Sequence, residues 1–450
     1  MSELRYLTTP TREIVAMTAK WIIPGFLSLL GIAGCGDHAP HGNTPTYTLE
    51  QVVMVMRHGV RAQTDSYMLA RETGQPWASS SVPDGELTAH GAEGAASQAA
   101  WMIEQWRKAG LPLEEGCPER QVLAWTSPTP RARDTGEAAL DAMFPGCGMD
   151  TYHTTRAKDP VMKGQKAVEP PLDEAVVTAE LQKVAGGDVS ALGERYRADV
   201  ERLRAAVCLP GACQFMDTPW AAHVKGNKVS FEGPLKYAGN MAETIRLQYS
   251  EGLPLDQVAF GHVKDATDVT ALMSLQAVRY SLGNDLPEVA RHGGSALMGL
   301  LTQALEPRKA VTSDPLAQPL VMFFGHDTNI SQLRTMLGFD WQLAGYPHND
   351  IPPAGALVFE RYHDRQRDRE MVRVSFQARS LDQWRQLSPL SAAAPLEVSE
   401  WRFEGCEDTN VGVLCPLDDV LARMKAHQDS ALLAPADYLT QQIEKNVSAP

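Results

Sequence analysis

The sequence has no apolar run long enough to span a bilayer, no internal repeat, no low-complexity tract and no excess of positive charge. Its longest candidate, Trp21–Leu30, falls well short of the roughly 20 residues a transmembrane helix needs. Without a repeat, solenoid and propeller architectures are excluded. Lys and Arg number 41 against 55 Asp and Glu, a formal charge of −14, which would repel a phosphate backbone unless basic residues were clustered. General nucleic-acid binding is therefore disfavoured, and any anionic ligand must sit in a local nest of positive charge. What the chain does have is 44% hydrophobic residues over 450 positions, enough for one large core plus a second lobe or insertion, so a disordered or fibrous protein is excluded.

Cysteine is scarce, at seven residues. No pair shows the spacing of a zinc knuckle and none has histidines at ligand spacing, so no metal site is expected there. Lys20 and the short apolar run after it suit a signal peptide, and Ile32-Ala33-Gly34-Cys35 resembles a bacterial lipobox, in which the cysteine is lipidated and becomes the mature N-terminus. The expected organisation is a signal segment over 1–35 and a flexible tether over 36–47, with export to the periplasm and membrane attachment through a lipid on Cys35. Assigning Cys35 to lipid leaves six cysteines, which can pair completely in an oxidising compartment. Six cysteines permit fifteen connectivities; the local couples are Cys117 with Cys147, Cys208 with Cys213, and Cys406 with Cys415.

Three apolar runs each end in polar, chemically capable residues. Val52–Met56 is continuous rather than alternating, as in a strand buried on both faces of a parallel sheet, and leads into Arg57-His58-Gly59-Val60-Arg61. Gln121–Trp125 leads into Thr126–Arg131 and a helix from about Asp134 to Met143. Pro319–Phe324 leads into Gly325-His326-Asp327 and a helix over Ile330–Leu337 with Gly338 as C-cap. Ligands of open α/β sheets bind outside the carboxyl ends of the strands, so the three ends can form one site. The expected fold is α/β, a mainly parallel central sheet flanked by helices over 48–159 and 292–450. A mostly helical smaller domain is inserted over 160–291, with helix-rich stretches at Leu172–Leu209, broken by Gly186-Gly187, and at Gly239–Gly252.

The residue types at these ends suit phosphoryl chemistry. Arg57 and Arg61 beside His58 disfavour a further positive charge and keep the imidazole neutral, as attack on phosphorus requires, and guanidinium groups offer paired donors to phosphate oxygens. His326 can donate to phosphate, and Asp327 can protonate a leaving alcohol, although an Asp at a strand-to-helix junction is also a common N-cap. Arg131 or Arg133 would complete the positive nest, and Thr64 could add a hydroxyl.

These motifs resemble the histidine acid phosphatase family, whose bacterial branch includes periplasmic phytases and glucose-1-phosphatases. The likeness runs from Arg57–Thr64 through Thr135–Ala138, Pro287–Arg291 and His326-Asp327 to Pro352–Arg361, covering essentially everything after the tether. It implies a phosphoglycerate-mutase-like fold, with His58 as nucleophile, Asp327 as proton donor, and Arg57, Arg61, Arg131 and His326 holding phosphate. Arg131 rather than Arg133 matches by position relative to Thr135-Gly136-Glu137. The implied activity is hydrolysis of a small phosphorylated substrate through a phosphohistidine, with no metal or cofactor. Gln63 departs from the family's proline. Asp65 and Gly293 stand where similar phytases tend to carry cations, which favours a simpler phosphate ester over a hexakisphosphate. A mutase-like transfer and a lipoprotein that binds phosphorylated ligands without turnover are the competing readings.

Overall fold

The apolar run before Arg57 forms strand β1 (Tyr47–Arg57) in a computed structural model that describes residues 46–156, 158–167, 169–307 and 314–447. The signal segment, Cys35 and nearly all of the tether lie outside the described residues. The strands that follow are β2 (Val122–Thr126), β3 (Ala221–Lys225), β4 (Lys228–Glu232), β5 (Leu320–Gly325), β6 (Ala356–Asp364), β7 (Arg369–Ala378), β8 (Glu397–Glu400), β9 (Glu407–Thr409) and β10 (Gly412–Pro416). Among the described residues the main sheet runs β2-β5-β1-β6-β7-β10-β9, with β8 alongside β7. The three motif-bearing strands are mutually parallel, and β6 to β10 extend the sheet in antiparallel pairs.

The lack of alternation in β1 has its cause in burial on both sides. Val53 and Val55 face one apolar core with Val321 and Phe323; Val52, Met54 and Met56 face a second with Leu320, Met322 and Phe324. Burying each such side chain contributes about 1.5–3 kcal/mol, which holds the register that the site depends on. Helix α1 (Ser66–Thr73) packs Met68 and Leu69 into the first core, and the second is covered by α2 (Ala89–Lys108) and α3 (Pro130–Met143). Helix α3 starts four residues before the Asp134 expected from sequence, because Pro130 occupies its first turn, where a fixed φ and a missing N–H cost nothing. Arg131 and Arg133 thus lie in a helical turn rather than in a loop.

The middle of the chain supplies helices Glu174–Ala185, Arg197–Val207, Ala238–Ser250 and Ser274–Gly283. Gly186 ends the first at φ 75°. The hairpin β3–β4 was not foreseen. Apolar residues of these helices share one core with Val53, Val55 and Phe323, and helix Pro287–Leu305 runs unbroken across residues 291 and 292. The cysteines pair as Cys117–Cys147, Cys208–Cys213 and Cys406–Cys415. No helix among the described residues is long and apolar enough to cross a membrane.

Candidate active site

Strand register brings the motifs together. Arg57 pairs with Gly325 across β1 and β5, and Thr126 with Phe324 across β2 and β5, so His58, Ser127 and His326 leave the sheet at one level. The His58 amide donates to Gly325 O at 2.9 Å, and the Ser127 amide to Phe324 O at 2.8 Å. The turn after His58 is pinned from α3: Thr135 Oγ1 accepts from the Gly59 amide at 3.1 Å and donates to Arg131 O at 2.7 Å. Gly59 is required by close approach, since a Cβ there would lie 2.4 Å from Gly91 O on α2.

His58 is 2% exposed. Its Nδ1 lies 2.9 Å from the Gly59 carbonyl, which can only accept, so Nδ1 carries the proton and Nε2 the lone pair. Burial, then the charges of Arg57, Arg131, Arg61 and His326, push the imidazole well below its ordinary range, so it stays neutral in acid. The ring meets His326 edge-on at 5.7 Å. His326 Nε2 lies 2.9 Å from Ser127 Oγ and 3.5 Å from Thr129 Oγ1. Burial and Arg131 bring it down to about 3.

A cleft of about 340 Å³ opens above these rings, lined by His58, Arg61, Arg131, His326 and Asp327 together with Thr129, Met162, Lys163, Gly164, Thr328, Asn329 and Gln332. Arg61 and Arg131 line this cleft, and their charges together with that of Arg57 act on His58, so positive charge gathers around one neutral imidazole, as an anion site requires. Burial and Arg61 bring Arg131 down to about 10. Arg133 is half-buried on another side of α3, where its charge acts on His153. Thr64 is exposed and does not line the cleft.

Arg57 lies beneath the cleft rather than on its wall. It is fully buried, with Nη1 donating to Ile351 O at 2.5 Å and Nη2 lying 2.5 Å from Glu243 Oε1 and 3.2 Å from Asp327 Oδ2. Glu243 also pairs with Arg246, which reaches Asp350 at 2.6 Å, so a buried ladder of alternating charge runs Asp327–Arg57–Glu243–Arg246–Asp350. Burial alone would raise Asp327, but Arg57, His326, Arg61 and the Tyr280 hydroxyl overcome it and hold the carboxyl well below its usual range. Glu243, Arg246, Tyr280, Asp350 and Lys163 were not anticipated from sequence. The one available signal was Glu243 and Arg246, an acid–base pair three residues apart on a helix with few other charges.

The sequence profile of the histidine phosphatase superfamily (branch 2) matches residues 48–377. The chain belongs to that family. This branch-2 enzyme is similar to the phytase AppA of Escherichia coli (strain K12), with 32% identity over 419 residues, covering 88% of this chain and 96% of that one. It is also similar to the glucose-1-phosphatase of Salmonella typhimurium, with 25% identity over 410 residues, covering 87% and 94%. The crystal structure of Klebsiella sp. ASR1 phytase matches it with a TM-score of 0.81 at 33% identity, over 86% of this chain and 98% of that one. The branch-2 chain is accordingly a histidine acid phosphatase, with the α/β fold of its solved relatives.

Proposed function

We propose that the protein is an exported acid phosphomonoesterase that works through a phosphohistidine on His58. The observation that carries this reading is the tautomer: Gly59 O holds the proton on Nδ1, so the Nε2 lone pair is available in a cleft lined by the cations Arg61 and Arg131. Nε2 attacks phosphorus while the bond to the ester oxygen breaks, and Asp327 gives its proton to the departing oxygen. Water then attacks the phosphohistidine, its proton goes to Asp327, the N–P bond breaks and inorganic phosphate leaves.

Asp327 is ionised in the free site, so its proton must arrive with the substrate. A phosphate monoester below its second pKa, about 6, brings one. Docking that anion spends the field of Arg57 and Arg61, which lets the carboxyl take the proton up. The rate should therefore fall as pH rises through the substrate's second ionisation, giving an acidic optimum. His58→Ala assayed on a chromogenic phosphate ester in acid tests the mechanism; turnover like that of the wild type would overturn it.

The cleft wall favours a sugar phosphate. Lys163 is the cation it adds to Arg61 and Arg131. Asp65 is committed as the N-cap of α1, accepting from the Met68 amide at 2.8 Å. A Cβ on Gly293 would meet the Gln332 side chain at 2.3 Å. Phytate is the second reading, supported by the likeness to phytases and by Lys163. Comparing kcat/KM for glucose 1-phosphate and phytate decides between them; a phytate value about tenfold higher would overturn the first, one factor of ten being about 1.4 kcal/mol of transition-state binding. Export is supported by the three disulfides, which persist in oxidising compartments. Globomycin-sensitive processing of a precursor would test lipidation at Cys35.

A further inference from the structure

Gly293 has no side chain, and the space that one would fill is taken by an amide. Gly293 lies in helix Pro287–Leu305 and Gln332 in helix Asp327–Leu337. A Cβ on Gly293 would fall 2.3 Å from Gln332 Nε2 and 2.9 Å from its Oε1, so the carboxamide lies over the glycine backbone. Gly164, next to Lys163, approaches the same residue, a Cβ there lying 2.3 Å from Gly293 O. Gln332 is 3% exposed and, with Lys163 and Gly164, lines the catalytic cleft. We propose that Gln332 is a specificity-determining residue, its amide reading a hydroxyl on the leaving group of a sugar phosphate. This rests on a sugar phosphate being the substrate.

Two other polar side chains of this wall are committed to protein partners. Asn329 Oδ1 accepts from the His326 amide at 2.9 Å while its Nδ2 donates to Met162 O at 3.1 Å, and Thr129 Oγ1 lies 3.1 Å from Ser127 Oγ. The Gln332 amide has no hydrogen-bond partner among the described residues. An amide so deeply placed is costly to leave unpaired, and here its open side is the cleft. A carboxamide offers both donors and an acceptor, which suits a hydroxyl, itself donor and acceptor. An ionised phosphate oxygen only accepts and is better met by cations, which Arg61, Arg131 and Lys163 supply in the same cleft. Gln332 adds no charge, so it fits a neutral hydroxyl-bearing group and not a second phosphate.

The test compares kcat/KM for glucose 1-phosphate with that for ethyl phosphate, an ester without hydroxyls, in the wild type, Gln332→Leu, Gly293→Ala and the double variant. Gln332→Leu should lower the ratio about three- to tenfold, the size of one hydrogen bond between neutral groups. Gly293→Ala keeps the amide but displaces it, and the ratio should fall to a similar extent. This second variant carries the test should Gln332→Leu fold poorly, because the atoms in the way of the new Cβ are the far end of a flexible side chain and Ala favours a helix over Gly. The double variant should fall no further than Gln332→Leu alone, since both changes remove one contact. An equal loss on the two esters, or a ratio that stays at the wild-type value, would overturn the proposal. The two readings fail separately: a preference for phytate with a ratio that still falls would overturn the sugar-phosphate substrate and keep Gln332 as a reader of hydroxyls, whereas a preference for glucose 1-phosphate with an unmoved ratio would overturn the role of Gln332 alone.

Discussion

The two walls of the site do different work. The sheet side, at the ends of β1, β2 and β5, gathers like charges, with Arg57, Arg61 and Arg131 crowding two neutral histidines. The helical side supplies the opposing groups, with Glu243 and Arg246 on a helix of the middle segment bracing Arg57. Crowding cations costs stability but stores attraction for an anion; the braces recover part of that cost. Loss on the sheet side should thus appear in turnover, and loss on the helical side in folding.

Four experiments would break or sharpen that contrast. His58→Ala should lower kcat by about 10⁴-fold or more, with no acid-labile phosphoprotein in quenched reactions and an unchanged melting temperature. Asp327→Asn should reduce kcat/KM by roughly 10²–10⁴-fold on an alkyl phosphate and far less on nitrophenyl phosphate, whose leaving group departs unprotonated. Equal losses on both esters would remove Asp327 from the proton-donor role. Glu243→Ala leaves Arg57 and Arg246 short of a buried counter-charge and should cost about 3–5 kcal/mol in denaturant unfolding. Arg131→Ala should lower kcat by about 10²–10³-fold yet leave the melting temperature equal or higher, since a partly desolvated charge beside Arg61 is removed. A lower melting temperature for that variant would erase the division between the walls.

A smaller effect concerns acid. His58, His326, Asp327 and Glu243 all have folded pKa values below their ordinary ones. At these groups the unfolded chain binds more protons, so the stability that His58 and His326 contribute falls as pH drops through the histidine range near 6.5; near 4 the loss at Asp327 and Glu243 is opposed by Asp159, Glu180, Glu251 and Asp350, which folding raises. Melting temperatures from neutral pH downward should decline across the histidine window, and bound phosphate should offset the decline.

Much of the sheet side was legible in the chain. A continuous apolar run followed by chemically capable residues announces a buried parallel strand with a functional end, and three such runs occur. Tyr280 was not legible, because a tyrosine in an amphipathic helix carries no mark of what its hydroxyl meets. Neither was Lys163, a lysine in a loop. Thr64 adjoins the motif in sequence, but the chain turns outward after Gln63 and leaves it exposed.

The sequence alone determined the residue types and their order: which histidine lies between arginines, which aspartate follows a strand, and which cysteines are near neighbours. Strand periodicity and local chemistry need only adjacent residues, so they survive in one dimension. Tertiary structure decided the tautomer of His58, the placement of Arg57 beneath the cleft, the choice of Arg131 over Arg133 as the cleft residue, and the ionised state of Asp327. Each depends on partners far away in the chain: 186 residues separate Arg57 from Glu243, and electrostatic state is set by distance and burial in space.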